Sequence, residues 1–315
     1  MTALALALND GPQSCASCAK FDCHLSFLSR NVVPVQDRVA FVLDEVWPEH
    51  RDFVARQRKP DDPVLAPGGL GRPMPRYAWP QAQTPAPLAT LRRHWTMRRV
   101  AKARGAVRQA AYLRDDERLA LALARRIDHR ARHLVVSQTL LPFLWREGHL
   151  GGRSFDVLMT RYSLAELHAR LDAFAARHPD SATIADFRAP DAIVAAEAEA
   201  LAQARRIVTP HHDIAETFAD RAVWLDWRTP AVRERRSGDR VAFLGPTITR
   251  QGAREARDIA RTLAEPLIVF GGDLEGADFW SGVAVERRGF GPGWLDGVGA
   301  IIGDSTCWAP RSRGR

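Results

Sequence analysis

The sequence predicts an α/β fold built as two successive units, each with an open, mostly parallel sheet. Three observations predict it. Short apolar runs alternate with amphipathic stretches of helical length along most of the chain. Residues 241–272, VAFLGPTITRQGAREARDIARTLAEPLIVFGG, read as a strand, a Gly turn, a helix and a second strand. The length, 315 residues, suits two domains better than one.

Composition narrows the class. An apolar fraction of 46% is ordinary for a soluble globular chain. No segment reaches the ~18 unbroken apolar residues of a membrane span. The start, MTALALALNDGPQS, is short and lacks a basic leader, so the cytoplasm is the expected location. The net charge is +8, and Lys occurs only at Lys20, Lys59 and Lys102. Such an Arg excess suits phosphate recognition, because a guanidinium binds phosphate through two parallel hydrogen bonds. It also matches plain codon bias, since Ala, Arg and Gly are abundant throughout.

Residues 1–37 read as an N-terminal extension. Cys15, Cys18 and Cys23 stand in CASCAKFDCH, with His24 adjoining, and Cys307 lies far away. C-x2-C-x4-C-H offers three thiolates and an imidazole, whereas zinc takes four ligands and an iron–sulfur cluster four thiolates. The spacing is compatible with a metal or cluster site at Cys15, Cys18, Cys23 and His24, with a redox thiol, or with inert cysteines. Cys23 and His24 are adjacent, which makes joint ligation awkward; Asp22 or a distant residue would then complete the set.

The first unit is expected over residues 38–228. Residues 39–43 form its first buried strand, and Asp44 and Glu45 end it, where α/β sites gather. They suit either chemistry or helix capping. Residues 59–87 are rich in Pro, Gly and Ala and read as a loop or lid. Residues 88–126 read as helical and strongly basic, fit for a solvated face, a membrane or lipid-linked acceptor surface, or nucleic acid. No zinc-finger, RNP or helix-turn-helix signature accompanies them, so nucleic acid is not an expected partner. Further on, 133–144 read as a strand and turn, and 154–160 as a strand. Ser163 and Glu166 fit a capping box before a helix. After a loop at 179–190 come a helix over 191–204, a strand at 206–209, a helix from 210 and a strand over 222–225. Residues 229–239, polar and aperiodic, read as a linker. The second unit follows over 240–315. In its helix Ala253, Ala256, Ile259, Ala260 and Leu263 are expected on the buried face.

Three places carry a resemblance to a known family. EAEALAQARRIVTPHHDIAETF at 197–218 resembles a late N-domain unit, VWLDWRTP at 223–230 the short strand before the second domain, and VAFLGPTITRQG with IVFGGDLEG the opening strands and Gly turns of that domain. Together they resemble the GT-B glycosyltransferases of the group-1/family-4 type, over roughly residues 38–303. The fold this implies is α/β with two Rossmann-like domains. The family's second domain would run on for roughly another hundred residues. Here 303–315, GDSTCWAPRSRGR, has no strand or helix period, so the second domain is expected to be incomplete.

The activity implied is transfer of a sugar from a nucleotide-diphosphate sugar to a glycan or lipid-linked acceptor, with peripheral contact at the inner face of a membrane. Such transfer needs no metal or cofactor where Arg, Lys and a helix N-terminus stabilise the leaving diphosphate. The implied donor contacts are Gly245, Thr247, Arg250, Gln251, Gly272 and Asp273, and the implied catalytic residues of the first domain are Arg161 and His211. Departures are specific. The family's basic residues at the turn and before the helix are Pro246 and Gln251 here, leaving Arg250 to compensate. Arg161 and Tyr162 stand where a family His often follows its strand. His211 and His212 lie in a different loop. These losses leave a second expectation open, a catalytically inactive GT-B-like binding protein.

Overall fold

A computed structural model describes residues 38–68, 77–79, 83–101, 103, 105–228 and 238–302. The expected metal ligands Cys15, Cys18, Cys23 and His24 lie outside the described residues, as do Cys307, most of the 229–239 linker and the tail from 303.

The first sheet has seven strands, all parallel. In chain order they are β1 (Arg38–Val42), β2 (Val64–Ala66), β3 (Gln83–Pro85), β4 (Ala131–Ser137), β5 (Ser154–Leu158), β6 (Arg206–Thr209) and β7 (Ala222–Trp224). Their spatial order is β3-β2-β1-β4-β5-β6-β7. Parallel strands need crossovers, which the helices supply: α1 (Pro48–Gln57), α2 (Pro87–Val100), α3 (Gly105–Ala124), α4 (Leu141–Arg146), α5 (Leu164–Arg177), α6 (Asp191–Gln203) and α7 (His212–Thr217). Successive strand residues alternate between two cores, as the pleat requires. Ala40 and Val42 face the core formed with α3–α6, while Phe41 and Leu43 face a smaller one with Phe53 and Val54 of α1 and with Trp79.

The second sheet is also parallel, in the order β10-β9-β8-β11. It comprises β8 (Arg240–Phe243), β9 (Leu267–Phe270), β10 (Val285–Arg288) and β11 (Val298–Ile302), with α8 (Ala253–Ala260) crossing from β8 to β9. Among the described residues no helix is long and apolar enough to cross a membrane.

Several expectations are corrected. Residues 59–87 are not only loop: Val64 pairs beside Phe41, and Gln83 beside Val64, so this stretch adds two strands. Pro85 fits because β3 is an edge strand, where a missing N–H costs no ladder bond. The helical stretch 88–126 is two helices, α2 and α3, packed as a hairpin. Gly105 starts α3 where a Cβ would come within 2.3–2.6 Å of the Asp186 side chain. Residues 133–144, expected as a strand and turn, run on into α4, with Pro142 in its first turn, where the missing N–H costs nothing. In α8 the buried face is Ala253, Ala256 and Ala260, while Ile259 is exposed and Leu263 lies beyond the helix end. Ser163 caps α5 as expected, its hydroxyl accepting from Glu166 N at 3.3 Å.

Candidate functional site

Parallel α/β sheets bind ligands beyond the C-terminal ends of their strands, where turns and helix N-termini converge. In the first unit those ends carry a buried polar network. Asp44, the second residue after β1, accepts both Nη groups of Arg93 at 3.1 and 3.2 Å. Arg93 Nη2 also lies 2.9 Å from Asp116 Oδ1. Arg93 sits in the stretch expected as a solvated basic face, yet it is buried. Burial works against the Arg93 charge, but Asp44 and Asp116 overcome it and hold the guanidinium charged. Burial pushes the Asp116 carboxyl up, against the pull of Arg93 and with the help of Asp44.

After β4 and β5 the network continues. Gln138 Oε1 accepts from the Thr160 and Arg161 N–H groups, both at 3.3 Å. Its amide donates to Glu197 Oε1 at 3.3 Å and to the Tyr162 carbonyl at 3.2 Å. Glu197, fully buried on α6, takes Arg161 Nη2 at 2.9 Å and caps the first turn of α5 through the Leu164 N–H. Arg161, an expected catalytic residue, is therefore positioned by Glu197. Tyr162 OH donates to Asp213 Oδ2 at 2.8 Å and ties the turn after β5 to α7.

His211, the other expected catalytic residue, is the N-cap residue of α7 and is buried. Its ring stands edge-on to Trp227 and Trp47, with centroids 5.1 and 6.3 Å away. His50 of α1 lies near it. Burial drives the His50 pKa down to about 3, a hydrogen bond with the Val208 backbone opposes this, and His211 adds to the lowering.

The second unit gathers most of the expected donor residues. Thr247 N donates to the Gly272 carbonyl at 2.8 Å, and Thr247 Oγ1 donates to Asp273 Oδ1 at 3.0 Å. Trp280 Nε1 donates to that same hydroxyl at 3.1 Å. Asp273 is further paired with Arg287 at 2.7 Å. Gly271 has φ +82°, and a Cβ there would meet Pro246 N at 2.8 Å, so this turn packs directly on the turn after β8. A Cβ at Gly245 would lie 3.0 Å from Gln251 Oε1, whereas Gly272 has open space. Arg250 and Gln251 belong to a 3-10 turn, Thr249–Gln251, that leads into α8. Arg250 is buried, with its guanidinium carbon 3.0 Å from the ring centre of Phe187 in the first unit.

The described contacts between the units include this one and a carboxylate that sequence reasoning missed. Glu275 accepts Ser181 Oγ at 3.0 Å, Ala182 N at 2.9 Å, Thr249 N at 2.9 Å and the Thr183 hydroxyl. Burial would raise its carboxyl, but the hydrogen bonds from Thr183, Thr249 and Ser181 win and hold it below the usual range. Arg254 Nη2 adds an ion pair to Asp180 at 2.9 Å. The Thr249 N–H, at the helical turn where an anion is expected, is thus taken by a side chain of the protein itself.

Among the missed residues, Glu197 left a usable signal. It falls on the stripe Ile193, Glu197, Ala200, Leu201, which is the buried face of α6. Gln138, Asp116 and Glu275 left none.

No family model matches the sequence, and no curated protein matches it. Solved structures similar to the chain include Arabidopsis thaliana UGT89C1 complexed with UDP, 11% identical over 84% of this chain and 67% of that one, with a TM-score of 0.34. Another is Medicago truncatula UGT71G1 complexed with UDP-glucose, 10% identical over 86% and 72%, with a TM-score of 0.36. A third is the glycotransferase of kitacinnamycin, 14% identical over 81% and 71%, with a TM-score of 0.32. The chain itself holds two parallel α/β units in succession.

Proposed function

We propose that the chain is a glycosyltransferase that takes a sugar from a nucleotide-diphosphate donor. The observation that carries the reading is the packing of the second unit's strand-end segment against the first unit. The segment after β8 meets the loop between α5 and α6, Arg250 at Phe187 and Thr249 at Ser181 and Thr183. Parallel sheets bind nucleotides at such turns. In the proposed reaction the acceptor hydroxyl forms a new bond to the sugar C1, and the C1–O bond to the diphosphate breaks. His211 takes the acceptor proton, and Arg161 and Arg250 balance the charge of the leaving group.

The donor half is tested by calorimetry with a panel including UDP-glucose and GDP-mannose. Saturable binding of one member is expected, about tenfold weaker in Arg250→Ala, a loss of about 1.4 kcal/mol. Failure of the whole panel overturns the reading. A second reading, a GT-B-like binding protein without transfer, is favoured by one observation: Glu275 occupies the Thr249 N–H, beside the uncharged Pro246 and Gln251. Hydrolysis or transfer from any bound nucleotide sugar excludes it.

For the acceptor we propose a lipid-linked glycan, reached at an anionic membrane. The support is α2. Leu88, Leu91 and Trp95 are 82%, 56% and 57% exposed, and their spacing puts them along one side of the helix. Arg92, Arg98 and Arg99 are exposed with them, and the helix contains no acid. Apolar and basic side chains together suit an anionic interface. Sedimentation with vesicles of phosphatidylcholine and phosphatidylglycerol is expected to retain the chain, and Leu88→Ser/Trp95→Ser to release it. Equal retention of that variant removes the membrane from the reading.

A further inference from the structure

The opposite, N-terminal edge of the first sheet carries a second constellation that the proposed transfer does not use. On the α1 side a cavity of about 380 Å³ is lined by Lys59, Arg132, His133, Asp156, Arg205 and Arg206, with Val39, Val135, Gln57 and Ser154. Asp156, fully buried on β5, organises it. It accepts Arg205 Nε and Nη2 at 3.0 and 2.9 Å and Arg206 Nε and Nη2 at 3.0 and 2.7 Å. His133 Nε2 lies 3.1 Å from the same carboxylate, and its Nδ1 is 2.8 Å from Ser154 Oγ. Burial would raise the Asp156 carboxyl, but these partners hold it far below the usual range, so it is ionised.

A buried carboxylate needs compensation, and one Arg fork supplies it. This cavity holds four permanent cations, Lys59, Arg132, Arg205 and Arg206, against one lining acid, Asp156. The Arg205 and Arg206 bonds to Asp156 use Nε and Nη2, and each guanidinium keeps its Nη1 edge for another acceptor. The Lys59 ammonium and the Arg132 guanidinium have no acidic partner among the described residues. Asp156 therefore does two things. It neutralises one charge, and it locks two planar forks in place before a ligand arrives, which lowers the ordering cost of binding. A cavity of this volume lies in the range of small-molecule sites. Planar forks with surplus positive charge match phosphate oxygens.

We propose that this cavity is an anion site for a small phosphorylated ligand, a phosphate ester or diphosphate, separate from the strand-end site at the other edge of the sheet. The residues that bind are Lys59, Arg132, Arg205 and Arg206, and Asp156 is the positioning residue. The site lies at the start of β5 and β6, whose far ends lead to Arg161 and His211.

The test is calorimetric titration of the full chain with inorganic pyrophosphate at low salt. Saturable binding is expected, weakening as sodium chloride is added. Lys59→Gln/Arg132→Gln leaves the Asp156 network intact, so it is expected to fold, as circular dichroism checks, and to bind pyrophosphate at least tenfold more weakly. Absence of saturable binding to the unaltered chain overturns the proposal. So does unchanged affinity in the folded double variant, which places the anion elsewhere.

Discussion

Glu197 and Glu275 perform the same physical task in the two halves. Each is a carboxylate that accepts the first backbone N–H groups of a helical turn and also holds side chains from another segment. Each acts where sheet C-termini and helix N-termini meet, the region of positive partial charge. Sequence reasoning could place Glu197 on the buried stripe of α6, but not the Arg161 that it meets 36 positions away. His50 gives this scale its pH prediction. Its pKa is about 3 in the folded chain against 6.5 in the unfolded one. Between those values the unfolded state binds more protons, so stability is full above about pH 6.5 and falls as pH drops, by about 1.4 kcal/mol per unit. Urea titrations from pH 7.5 to 5 should show that slope in the unaltered chain and a flatter one in His50→Leu. Parallel slopes would mean that His50 is not buried neutral.

At the scale of elements, the second unit's opening crossover was the most legible part. β9 spans the residues its apolar run predicts, because four apolar residues bounded by Pro266 and Gly271 suit a buried strand. The helix was shorter than its pattern, since the Gly252 N-cap, at φ +81°, divides α8 from the 3-10 turn before it. Gly271 joins the two strand-end turns, and only a residue without Cβ fits against Pro246 there. Gly271→Ala is expected to lower stability by about 1–3 kcal/mol. Denaturant unfolding followed by Trp fluorescence measures it, and a change below a few tenths would contradict the close packing. β2 and β3 were not legible, because strands of three residues have no period to detect and Pro signals dominated them. Their pairing with β1 supplies the stabilisation that local propensity lacks.

At the scale of the molecule, each unit has its own hydrophobic clusters. The described contacts between them are largely polar and centre on Glu275, with the Arg250–Phe187 stack and the Arg254–Asp180 pair beside it. Glu275→Ala removes four acceptor contacts at once, so calorimetry of that variant is expected to resolve two unfolding transitions. A single unchanged transition would show that the contact does not couple the units. By itself the sequence determined the alternation of strands and helices, the two-unit plan and most strand positions, since apolar periodicity is a local property. The resemblance it carries named Gly245, Thr247, Arg250, Gln251, Gly272 and Asp273 as donor contacts. Only the tertiary structure decided that Arg93 is buried between Asp44 and Asp116, that Glu275 fills the Thr249 N–H, and that Asp156 gathers Arg205, Arg206 and His133 at the opposite edge. Those are meetings between segments far apart in the chain, and no local pattern encodes the partner of a charge.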